Sequence, residues 1–267
     1  GPNIEVSAQQ HAMNLRMDNP RTFASEYQNA PLDAYVGSVD MLTPDQIARR
    51  TSSIKRGEIP QWCEIVTAFV DLQEEVLFYT VLASATDYTS QIVDYGTFPD
   101  FGDRYFTKAQ TESWSALSQQ YYTAHPEEKR SHTGKRLRAP FEGKIHFGLE
   151  AIVNKLISMR YRRDDGTEMP IQRIGIDGNW GKTTDLVRRF CRYNGDTRLV
   201  PMHGRYVGAT SKPFDEWGRR DGWLFEDQMH AGVEKVSWVM PATNYGIRHI
   251  LVDTNFYKTF LFNRMAA

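Results

Sequence analysis

Only two cysteines, Cys63 and Cys191, occur in 267 residues, too few for a disulfide framework and in keeping with a reducing compartment. An excess of charge is also lacking. With 32 basic and 33 acidic residues the formal net charge is −1, so any binding to a polyanion must come from local basic patches. No apolar run approaches the ~20 residues a membrane-spanning helix needs, and the N-terminus has no signal-peptide pattern. No membrane partner is expected. The seven histidines are scattered and the cysteines lie far apart, which leaves no zinc spacing. There is no Gly-x-Ser-x-Gly elbow, no repeat of fixed period and no low-complexity tract.

A nucleotide cradle is missing as well, although "GIDGNWGKTT" (175–184) looks like one. The phosphate-binding loop needs Gly, four residues, then Gly-Lys-Ser/Thr. Counting back from Gly181 puts its first position on Ile176, and Gly175 is one residue too far away. Asp177 inside the loop would also repel a phosphate. No ATP site is therefore expected, and Gly-Lys-Thr reads as the start of the next helix.

What is present is an ordinary globular composition, 40% hydrophobic, enough for one large domain or two small ones. The opening Gly-Pro resembles a protease-cleavage remnant, so the chain is expected to be a fragment of a longer one. Residues 1–58 are polar and irregular and read as an arm or linker, with one helix opening at Thr43-Pro44-Asp45. Three stretches rich in β-branched and aromatic residues follow at 62–75, 76–84 and 90–98, joined by short polar connectors; they predict an antiparallel meander. A helix near 108–123 and the basic run 127–138 read as an insertion, about 105–145. Leu149, Ile152, Val153, Leu156 and Ile157 form one apolar stripe on a helix at 147–163. A strand at 171–177 leads to a helix from about Lys182 to Tyr193 that stops at Asn194-Gly195. A strand at 198–204, a polar insertion at 205–245, a strand at 248–254 and a final helix complete the order. This is an α/β chain whose mixed sheet starts with three antiparallel strands and adds parallel ones, flanked by helices. It is the order of an RNase H-like fold, expected over residues 59–267.

One feature recurs. "FVDLQ", "GIDGN" and "LVDTN" each set an aspartate after an apolar strand and a side-chain amide two residues later: Asp71, Asp177 and Asp253. A carboxylate at a buried strand end costs several kcal/mol of desolvation unless a cation or donors compensate. Converging carboxylates suit magnesium or manganese, and two such ions about 4 Å apart would serve phosphodiester hydrolysis. The plainer reading of each aspartate is a turn or helix cap. Asp94 in "IVDYG" takes that role, because the third meander strand carries it away from the centre. Asp71 and Asp177 differ, since in an RNase H-like sheet their strands are neighbours.

"TAFVDLQEEVLFYTVLASATDYTSQIVDYGTF", "IGIDGNWGKTTDLVRRFCRYNG", "RLVPMHGR" and "ILVDTNFYKTFLFNRM" resemble, in order, the nuclease half of the large terminase subunit of tailed phages, in particular the lambda-like GpA group. "NPRTFASEYQNAPLD" resembles the segment closing the ATPase half of these motors. The resemblance implies a metal-dependent endonuclease that cuts concatemeric double-stranded DNA during packaging, in the host cytoplasm, with the small terminase subunit and the portal as partners. It assigns Asp71 and Asp177 to the first two metal-binding acids. The third is either Asp253 or an acid beyond "FNRMAA".

DNA contact calls for lysine and arginine at the phosphates. The candidates are Lys129, Arg130, Lys135, Arg136 and Arg138, the cluster Arg160, Arg162 and Arg163, and Lys182 and Lys258, which follow Asp177 and Asp253. Each has the duller reading of a solvated surface charge. His203 suits proton transfer or substrate contact, or a hydrogen bond in its turn. The tryptophans read as packing residues, and Trp180 as a base-stacking candidate. Two rivals to the nuclease remain: another RNase H-like enzyme such as a junction resolvase, and a DNA-gripping docking module whose acids only cap.

Overall fold

Alternation of apolar and polar side chains builds the long strands. After a two-residue strand β1 (Glu58–Ile59), β2 (Ile65–Leu72) buries Val66, Ala68, Val70 and Leu72 and leaves Thr67, Phe69 and Asp71 on its other face. β3 (Leu77–Ser84) and β4 (Ser90–Phe98) complete the expected antiparallel meander. The computed structural model describes residues 54–87, 89–102, 106–114, 116–129, 139–207, 224–225, 238–240 and 247–258, and singly Ser7, Met13, Thr43, Asp45, Gln46, Arg49 and Leu261. Lys135, Arg136, Arg138 and Arg130 lie outside them.

Helices α1 (Lys108–Trp114) and α2 (Ala116–Ala124) stand where one helix was expected, and a 3-10 turn, Pro126–Lys129, follows. Helix α3 (Phe141–Ser158) carries the predicted stripe but starts earlier and ends sooner than residues 147–163. The physical reason is Arg160, whose guanidinium donates to the Ile157 and Met159 carbonyls and so closes the helix end. The next residues form β5 (Arg160–Arg163), which pairs with β1 and with β6 (Glu168–Pro170) in a small sheet.

β7 (Arg173–Asp177) is buried almost throughout, as suits a parallel strand with neighbours on both sides. Helix α4 (Thr184–Asn194) buries Leu186, Val187, Phe190 and Cys191 and stops, as the sequence indicates, where Gly195 takes a left-handed φ of 75°. Lys182 therefore lies in the turn before the helix rather than inside it. β8 (Leu199–Arg205) runs parallel to β7. The strand order β4-β3-β2-β7-β8, antiparallel then parallel, is that of an RNase H-like sheet.

The chain divides into two compact units. The unit of Ser52–His203 and Met240–Ile250 holds this sheet and a main core in which Ile145, Leu149, Ile152 and Leu156 of α3 and Leu186 and Val187 of α4 meet the buried faces of β2, β3 and β7. The other unit comprises Gly1–Thr51, Gly204–Val239 and Leu251–Ala267. In it Thr43 and Gln46 exchange the backbone and side-chain bonds of a capping box, at 2.8 and 3.2 Å, which bears out the helix start expected there. The short strand β9 (Leu224–Phe225) falls in this unit; β10 (Trp238–Met240) and β11 (Ile250–Asp253) pair antiparallel there through Trp238 with Val252 and Val239 with Leu251.

A buried polar network ties the β2–β3 hairpin to the helices. Glu75, 9% exposed, accepts from the ammonium of Lys144, 2% exposed, and from the Ser118 amide and hydroxyl at 3.0 and 2.8 Å. Lys144 sits on the apolar stripe of α3, a sequence signal of a buried partner that the stripe alone does not name. Removing one member strands a buried charge. Lys144→Met is expected to lower the unfolding free energy by ~3 kcal/mol or more, and Glu75→Leu in the same chain to recover much of it. Urea denaturation checks this; a loss below ~1 kcal/mol would mean that the pair acts as an exposed one.

Candidate active site

The parallel ladder sets Val70 beside Ile176, so the next residues, Asp71 and Asp177, end neighbouring strands on the same sheet face. Adjacent strands lie about 4.8 Å apart. Asp71 accepts from the Gln73 side-chain amide at 3.1 Å, and Asp177 from the Asn179 backbone N–H at 2.9 Å. The amide two residues on is thus a local orienting device, an Asx-type turn in the second case. Neither carboxylate forms an ion pair among the described residues. Burial pushes the Asp177 carboxyl above its usual range, the Asn179 N–H opposes this, and the negative charge of Asp71 adds to the rise.

An aromatic cluster flanks Asp71. Phe78 lies directly across the ladder from Asp71 and stacks on Phe106 at 6.1 Å, with Phe101 between Phe106 and Trp114 at 4.9 and 5.0 Å. On the other side, the loop after Asp177 is pinned. The Trp180 carbonyl accepts from the Thr183 amide and hydroxyl, and the Gly178 carbonyl from the Thr184 hydroxyl. Trp180 itself packs edge-on against Phe141 at 5.2 Å, a packing contact as the sequence allowed. The exposed Lys182 places its ammonium 5.8 and 5.9 Å from the Phe141 and Trp180 ring centres, on the rim of the same loop.

Asp253 falls in the other unit. There its carboxylate accepts the Asn255 and Phe256 amides at 2.9 and 3.1 Å, a cap on the helical residues 254–258 that include the exposed Lys258. Among the described residues no group of three His, Cys, Asp or Glu side chains is arranged to hold a metal ion.

The arginines of the expected basic cluster sit elsewhere. Arg163 donates to Asp165 and to the Cys63 carbonyl, and Gln172 bonds to Val66, so this segment borders the start of β2. Five residues of strand separate Val66 from Asp71, roughly 17 Å. Arg162 stands between Glu58 and Glu168 on the neighbouring strands, and Arg160 closes α3. The structure thus sets Arg160, Arg162 and Arg163 in the small sheet by the start of β2, the strand end opposite the carboxylate, because β5 follows the C-terminal end of α3. Asp94 is indeed remote from the pair, but it is no turn cap: it is buried, salt-bridged to Arg56 at 2.6 Å and hydrogen-bonded by the Tyr161 hydroxyl at 3.1 Å.

Nε2 of His203 is buried without a hydrogen-bond partner among the described residues. Its ring meets that of His249 at 4.8 Å. Burial foremost, then His249 and Arg188, lowers its pKa to about 4, so the ring is neutral at physiological pH. His249 and Arg188, whose Nδ1 and Nε likewise have no partner among the described residues, carry no sequence motif.

Comparison with known proteins is consistent with these features. The family model described as "Terminase large subunit gpA, endonuclease domain" matches residues 10–266. No curated protein and no solved structure matches the chain.

Two pH-linked outcomes follow from the shifts. Asp177, with its carboxyl raised in the fold, stabilises the protein below the ordinary carboxylate range and loses that contribution as pH rises through its raised value. Asp177→Asn, which keeps the acceptor for Asn179, should therefore raise the melting temperature of the metal-free protein at pH 7 and have little effect near pH 3. For His203 the sign is opposite: its contribution is present above the ordinary histidine value of 6.5 and is lost as pH falls toward about 4. Thermal scans from pH 3 to 8 test both; a lower melting temperature for Asp177→Asn at pH 7 would contradict the proposed repulsion.

Proposed function

We propose that this chain, which belongs to the terminase large subunit gpA endonuclease family, is a divalent-metal-dependent endodeoxyribonuclease whose metal ligands include Asp71 and Asp177. The observation that carries the reading is the adjacency of these two carboxylates at the ends of parallel strands, with no ion pair to either among the described residues. The donor set fits magnesium or manganese: both ligands are hard oxygens, and each carboxylate has one oxygen with no hydrogen bond among the described residues. A bound ion would supply an activated water and shield charge at the phosphodiester.

The protein's own groups have distinct tasks. Gln73 and the Asn179 amide orient the two carboxylates toward a common point. The rings around Phe78 keep bulk water from Asp71, which strengthens the attraction of both acids for a cation. In this reading the exposed Lys182 meets a backbone phosphate as DNA approaches the rim. The substrate in this reading is concatemeric double-stranded DNA, cut in the host cytoplasm together with the small terminase subunit and the portal.

Plasmid nicking tests the proposal. Manganese should support nicking of supercoiled DNA by the wild-type chain, and Asp71→Asn and Asp177→Asn should abolish it while the protein stays folded. Unchanged cutting would remove both residues from the mechanism. Calorimetry that finds no manganese bound by the wild type at millimolar metal would favour the DNA-gripping module, and a preference for branched substrates would favour a resolvase.

A further inference from the structure

We infer that His203 is a positioning residue for Asp177, bracing from the helix side of the sheet the backbone that follows the carboxylate. The inference rests on the nuclease reading above. β7 and β8 run parallel with Asp177 beside Met202, so the residues one step on, Gly178 and His203, are neighbours. Along β8, burial alternates, and His203 shares the buried side with Leu199 and Pro201, opposite the face that carries Asp177.

The contact at Gly178 is close. A Cβ there would meet the His203 ring at 3.0 Å from Nε2 and 3.1 Å from Cε1, so the imidazole fills the space in which a side chain would otherwise sit. Gly178 is also held sideways, through its N–H to the Met202 carbonyl at 2.8 Å. One residue further, the Asn179 N–H donates to Asp177. The ring thus supports the turn that aims the carboxylate.

His203 is in turn immobilised. It is 9% exposed and packs edge-to-face on His249 at 4.8 Å. Because its Nε2 bonds to nothing among the described residues, the ring acts through its volume rather than through a hydrogen bond. If the volume is removed, glycine, the least restrained residue, lets the turn sink and carries the Asn179 donor with it. Asp177 would then lose its alignment with Asp71.

Manganese calorimetry on the full chain, with melting temperatures recorded alongside, tests this. Asp177→Asn serves as the reference: if it binds manganese as the wild type does, the nuclease reading fails first and this inference with it. With that reference lost as expected, His203→Ala should weaken manganese binding about tenfold or more, and His203→Phe, which restores a ring, should bind close to wild type. Val187→Ala, a buried change in α4, should lower the melting temperature without moving the affinity. Wild-type affinity in a folded His203→Ala protein, or an equal loss in His203→Phe, would overturn the inference. Should His203→Ala fail to fold, Gly178→Ala takes its place, since its methyl drives the ring aside from above; unchanged affinity there would overturn it too.

Discussion

The parallel ladder between β2 and β7 is the constraint on which the rest depends. These strands are separated by about a hundred residues of chain, yet their register sets Val70 against Ile176 and so leaves two carboxylates as the next pair of side chains. Like charges at that spacing repel, and desolvation adds to the cost. A chain that only needed folding stability would be better served by an uncharged pair. The cation proposed above would relieve that repulsion, and the chain belongs to an endonuclease family.

Much of the surrounding structure keeps that pair from relaxing. The hairpin beyond Asp71 is held by Glu75, which meets Lys144 of α3 and Ser118 of α2 in a site closed to water. Beyond Asp177 the turn is closed by threonine hydroxyls and anchored by Trp180 against Phe141 at the start of α3. Helix α3 therefore touches both supports. The helix does two kinds of work, since its apolar stripe builds the core while Lys144 and Phe141 restrain the two loops that follow the carboxylates.

Part of this was legible in the chain. The meander, the α3 stripe, the stop of α4 at Asn194-Gly195 and the parallel order of later strands all follow from local periodicity and turn chemistry, which depend on residues a few positions apart. The pairing of Asp71 with Asp177 was legible only through the strand order. The placement of Arg160, Arg162 and Arg163 was not, because a charge run looks the same on a helix extension as on a strand that turns away. Nor was the network of Glu75, Ser118 and Lys144, whose members lie 43 and 69 residues apart. Asp253 shows the same limit: its motif matches that of Asp177, and in its own unit it caps a helix.

By itself, then, the sequence determined the elements and their likeness to a nuclease family, because hydrophobic period, glycine stops and strand-end aspartates are local properties. Only the tertiary structure decided which aspartate stands beside which, that the arginine cluster lies by the opposite end of β2, and that a histidine sits behind Gly178. Those facts depend on ladder register and on which face each strand turns inward, and both are fixed by burying side chains from distant parts of the chain in one core.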